Sequence, residues 1–148
     1  MSSGTLATGL AVVAGLLGSV QVAVMSRLGE RVGVAEALGF ATLLSAIIAV
    51  AALFAVRRSA SGFEHALHQP WWMLTGGVFG LLIVFTVTYA GPRIGITATV
   101  GILIAGQLAM GAAIDRWGLF GSQRIALHWP RLVGIGLLAA GAALSLRK

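Results

Sequence analysis

Four stretches of this chain contain no charged side chain: residues 1–26, 37–56, 69–92 and 94–114. A helix of about 20 residues, rising about 1.5 Å per residue, crosses the hydrocarbon of a bilayer. All four stretches are long enough. A water-soluble fold has no use for such runs, because its surface needs charge. Charged residues make up 9% of the 148 residues and hydrophobic residues 58%, against about 25% and about 45–50% in ordinary soluble domains. The chain is therefore built for a membrane.

A fifth window, 132–146, is shorter. It reaches spanning length if Trp129 and Arg131 sit at the interface, with the arginine head reaching outward along its apolar stem. Pro130 suits the first turn of that helix, where a missing N–H is harmless. The expected fold is a single all-α integral membrane domain over 1–148. Its five transmembrane helices lie near 5–26, 36–56, 71–90, 95–116 and 130–146. Gly91-Pro92 is expected to end the third, since proline breaks the preceding helix and glycine permits the bend. The second and fourth loops have room for an interfacial helical turn. Short connections make consecutive helices antiparallel neighbours. The first window lacks a basic start and is too long for a signal-peptide core, so it is expected to be retained.

The net charge of +6 and the pI near 11.7 do not point to nucleic acid, because no basic run exceeds two residues. Scattered loop cations suit lipid headgroups instead. The absence of cysteine excludes disulfides and thiolate metal sites. With five spans, Arg57, Arg58, Arg116, Arg124 and Arg131 fall on the side that holds residue 1. Arg27, Arg31, Arg93, Arg147 and Lys148 fall on the other. The positive-inside rule orients a protein by its Lys/Arg excess, and here the excess is zero. The four tryptophans, Trp71, Trp72, Trp117 and Trp129, share the first side and offer one way to fix an orientation. The even cation count favours dual topology: copies insert both ways and pair as an antiparallel homodimer. Five plus five inverted helices reproduce the inverted-repeat plan of many transporters.

Few polar groups lie within the spans. Gln107 falls near the middle of the fourth and Gln21 in the first. Each amide has two donors and an acceptor that lipid leaves unsatisfied. Each therefore makes an interhelical hydrogen bond, worth about 0.6–2 kcal/mol, or lines a substrate pathway. Thr86, Thr88, Thr97, Thr99 and Ser45 are weaker candidates, because such hydroxyls usually bond to their own helix backbone. Tyr89 is a belt residue or a pathway residue. Arg93 shares its side with Arg27, Glu30, Arg31 and Glu36. Asp115-Arg116 lies at a mouth, about 12 Å along the helix from Gln107 at about 1.5 Å per residue. No carboxylate reaches a midplane, which disfavours proton antiport through a central acid and favours a neutral, zwitterionic or lipid-like cargo. His65, His68 and His128 are loop residues without acids or thiols at ligand spacing. No GxSxG, Walker-type or HExxH pattern occurs, so no enzyme, metal or cofactor is expected. Of the 21 glycines, Gly15, Gly18, Gly76, Gly80, Gly106 and Gly111 are placed for helix packing. Gly76 and Gly80 form a GxxxG pair of the kind that lets membrane helices approach closely.

Three segments, "GSVQVAVMSRLGERVG", "GPRIGITATVGILIAGQLAMGAAIDRWGLFG" and "RLVGIGLLAAGAALSL", resemble the YdcZ-like family of bacterial inner-membrane proteins, a branch of the drug/metabolite transporter superfamily. The most specific part is "PRIG", "AGQL" and "D-x-x-G-L-F-G". The resemblance implies a five-helix inner-membrane protein. Its relatives occur as single dual-topology chains, as pairs of opposite orientation or as ten-helix fusions. It also implies a glutamine in the first and fourth helices, matching Gln21 and Gln107. The glutamate of small multidrug resistance exporters has no counterpart here, since Gln21 stands in that region. The expected function is small-molecule transport by an antiparallel dual-topology homodimer with alternating access. The alternative is a non-transporting membrane assembly or lipid-binding module. No particular substrate is implied.

Overall fold

The computed structural model describes residues 3–57, 61–126 and 128–146. Arg58, Arg147 and Lys148, which belong to the cation count, lie outside them. The described residues form helices and no strand. In chain order the helices are α1 (Ser3–Val32), α2 (Val34–Arg57), α3 (Ser61–Leu67), α4 (Trp71–Leu74), α5 (Gly76–Ile94), α6 (Ile96–Trp117) and α7 (Trp129–Ser145). Among the described residues, four helical stretches are long and apolar enough to cross a membrane: Gly4–Val32, Val34–Val56, Trp71–Ile94 and Ile96–Trp117. Helix α7 is apolar but shorter, at 17 residues, and Pro130 stands in its first turn as expected.

Several helix ends differ from expectation. Helix α1 runs on through Arg27, Glu30 and Arg31 to Val32. A charge-free window marks where lipid begins, whereas a helix continues as long as its backbone bonds close. Arg27 and Glu30 form an i,i+3 ion pair at 3.0 Å, and that spacing suits a helix surface. The break comes at Gly33 (φ +101), a left-handed conformation that glycine adopts without a steric penalty. The third expected span also runs on. Pro92 lies inside α5, and the chain leaves the helix only at Gly95. In the last turn a proline removes one hydrogen bond, that to the Thr88 carbonyl, so the helix tolerates it. Gly91 is buried within the helix and does not mark a bend. Helix α3 occupies the second loop, where a helical turn is expected.

The chain divides into two compact units, Val24–Pro92 and the remainder, Met1–Ala23 with Arg93–Lys148. In the first unit the end of α1 meets the end of α5. The buried Ser26 hydroxyl donates to the Val87 carbonyl at 3.5 Å. A Cβ on Gly29 would stand 2.6 Å from Thr88 Cγ2, so only glycine permits this approach. In the second unit α6 and α7 pack as an antiparallel hairpin. Gly101 lies against Ala142 at one end, with 3.3 Å from a Cβ position to the alanine Cβ. Asp115 meets Arg131 at the other end.

Candidate functional site

Both span glutamines are uncovered. Gln107, midway along α6, and Gln21, in α1, are exposed. Among the described residues neither amide has a hydrogen-bond partner. Hydroxyls in the same depth range behave differently. Thr86 donates to the Leu82 carbonyl at 2.8 Å, Thr88 to Val84 at 2.7 Å and Thr99 to Gly95 at 2.8 Å. These side chains close on their own helices and ask nothing of a neighbour. An amide side chain carries more donors and acceptors than that, so Gln21 and Gln107 call for water, a ligand or another chain.

The other candidates are spread out. Tyr89 is half exposed and stacks on Phe85, one turn earlier in α5, with ring centroids 6.1 Å apart and planes 14° apart. Ser45 is exposed on α2, and Arg93 is exposed in the last turn of α5. A groove of about 220 Å³ runs between α6 and α7, lined by Thr97, Gly101, Ile104, Leu138 and Ser145 among others. It contains neither glutamine. The six packing glycines, Gly15, Gly18, Gly76, Gly80, Gly106 and Gly111, meet nothing within 4 Å of a Cβ position. Among the described residues close approaches fall at Gly29, Gly101 and Gly118, and at Gly33, where the Glu36 carboxylate folds back. Sequence spacing shows where a small residue allows approach, but not which helix arrives there.

Asp115 is part of the hairpin mouth. Its carboxylate accepts from Arg131 at 2.6 Å, and its backbone carbonyl accepts from the Ile125 N–H at 2.9 Å. Arg131, expected as an interfacial anchor, thus joins α7 to α6. The signal for this pair was available: opposite charges stand on the two ends of one loop. The D-x-x-G-L-F-G segment forms the mouth. Gly118 ends α6 in the left-handed conformation (φ +65), and its N–H donates to the Ile114 carbonyl at 2.8 Å, a common helix stop. A short 3₁₀ turn, Leu119–Gly121, follows, in which Phe120 also has positive φ (56°). Arg124 folds back over Gly118, its Cγ 2.8 Å from a Cβ position there.

Four long apolar helices, with uncovered amides on two of them, define a multi-pass membrane protein. Comparison with known proteins says which kind. Residues 6–144 match the family described as "Putative inner membrane exporter, YdcZ", and the chain belongs to that family. It is a multi-pass protein of the inner membrane, in a family of transporter type. It is similar to the protein named "Inner membrane protein YdcZ" of Escherichia coli (strain K12), with 28% identity over 112 residues, covering 73% of this chain and 74% of that one. No solved structure matches the chain.

Proposed function

We propose that the protein exports a small molecule as an antiparallel homodimer of five-helix subunits, with α7 as the fifth span. The family description supports export. The observation that carries the reading is the exposure of Gln21 and Gln107 on spanning helices. Lipid leaves such amides unsatisfied at several kcal/mol per group, so the chain is incomplete by itself. A second copy inserted upside down gives four amides, two from each subunit, around a shared pathway. The equal split of ten cations permits that insertion. Alternating access then follows from one subunit rocking against the other. The packing glycines that meet nothing in the chain, such as Gly76 and Gly80, are surfaces for the inverted copy.

The test pairs two measurements. Reporters fused to the C-terminus, each active on one side of the membrane, give signal from both sides. Purified protein is screened with metabolite mixtures for ligand-induced thermal stabilisation, and the hit is loaded into proteoliposomes. Gln21→Ala and Gln107→Ala then abolish its transport with dimer yield unchanged. Loss of the dimer without any transport to lose would support an assembly module instead. A single orientation with full activity would sink the antiparallel arrangement.

A further inference from the structure

The α6–α7 mouth carries more positive charge than its own contacts use. Between Arg93 and Lys148 the sequence holds one acid, Asp115. It is taken by Arg131. Arg116, next to Asp115, and Arg124, drawn over Gly118, have no ion-pair partner among the described residues. The mouth therefore carries three cations and one anion, a surplus of two. Both arginines are exposed. They sit where the apolar span Ile96–Trp117 ends, the depth of lipid headgroups. Around them stand three exposed aromatic rings: Trp117 (63% exposed), Phe120 (68%) and Trp129 (75%). Indoles favour the headgroup level, where one end of the ring is wet and the other apolar.

Two features pre-arrange this surface. The Asp115–Arg131 pair removes the one carboxylate that would repel an anion. The notch left by Gly118 holds the Arg124 stem, so less side-chain freedom is lost when an anion binds. We propose that the mouth of the α6–α7 hairpin binds the phosphate headgroup of an anionic phospholipid, through Arg116 and Arg124 within the ring of Trp117, Phe120 and Trp129. The site depends on the membrane location and not on transport, so it stands or falls separately from the exporter reading. Guanidinium groups suit phosphate because their fork of N–H donors matches its oxygens.

The test uses the full-length protein carrying Trp71→Phe and Trp72→Phe, which leaves Trp117 and Trp129 as its tryptophans. It is reconstituted in phosphatidylcholine vesicles with a trace of pyrene-acyl phosphatidylglycerol, or the same label on phosphatidylcholine. Energy transfer from indole to pyrene reports which lipid lies at the mouth. Phosphatidylglycerol is enriched roughly 25-fold at low salt, since each of the two arginines contributes about a fivefold gain. R116Q/R124Q brings transfer down to the phosphatidylcholine level, and R116K/R124K keeps most of the enrichment. R27Q/R31Q, which removes two cations elsewhere, leaves it unchanged. Equal transfer from both lipids in the intact mouth, or equal loss in R27Q/R31Q, overturns the proposal. Displacement by inorganic phosphate at constant ionic strength also overturns it, by making this a site for a soluble ion. Should the phenylalanine background fail to insert, native mass spectrometry of the unmodified protein counts retained phosphatidylglycerol. R116Q/R124Q must then lose lipid that R27Q/R31Q keeps.

Discussion

Helix α2 and the α6–α7 hairpin are written in nearly the same apolar alphabet, yet they are held in different ways. The most apolar window of α2 contains no buried residue. The hairpin is closed at both ends, by Gly101 against Ala142 and by Asp115 with Arg131. Hydrophobicity brings both into the bilayer, but lipid tails are as apolar as leucine, so it cannot bring helices together there. What joins α6 to α7 is steric fit and a few polar contacts. Among the described residues α2 is covered only near its start, where Ala37 is buried, and the rest of its length is largely exposed.

Four substitutions sharpen that contrast. The largest effect falls where a close approach has no slack. Gly29→Val drives a side chain into the buried Thr88 and lowers stability by about 2–3 kcal/mol, read by reversible unfolding in mixed micelles. Adding Thr88→Ser, which removes the offending methyl and keeps the hydroxyl, recovers part of the loss. Gly118→Ala comes next, at about 1–2 kcal/mol, because a side chain in the left-handed region is strained and also collides with Arg124. Breaking the half-exposed latch with Asp115→Asn removes at most about 1 kcal/mol. The charge swap Asp115→Arg with Arg131→Asp should restore the lost fraction, and a further loss instead would show that the pair contributes nothing. Ile47→Ala on the exposed face of α2 changes the chain's own stability by no more than about 0.5 kcal/mol. The same variant lowers the yield of cross-linked dimer if a second copy covers α2, and an unchanged yield removes α2 from the interface.

Local chemistry made most of the fold readable. Charge-free windows located the spanning helices, and Pro130 located the start of α7. The failures came where local rules meet their context. Proline is a breaker in mid-helix, but Pro92 stands in the last turn of α5, where little is left to break. Charges at Arg27, Glu30 and Arg31 end a lipid-facing segment without ending α1. The contact between Gly29 and Thr88 joins residues far apart in sequence, so no spacing rule announces it. The D-x-x-G-L-F-G motif stood out in the sequence, but its work did not. Only the structure shows that its aspartate latches onto Arg131 and that Gly118 makes room for the returning Arg124. Gln21 and Gln107 were legible as misfits in lipid, and the structure leaves them uncovered. Among the described residues nothing covers them.

The latch at Asp115 also bears on what holds the α6–α7 hairpin shut. Asp115 is the last acid in the chain, and it is already bound to a guanidinium on its own hairpin. Anything that parts this pair leaves the two helices hinged at Gly101 and Ala142, at the far end of the hairpin.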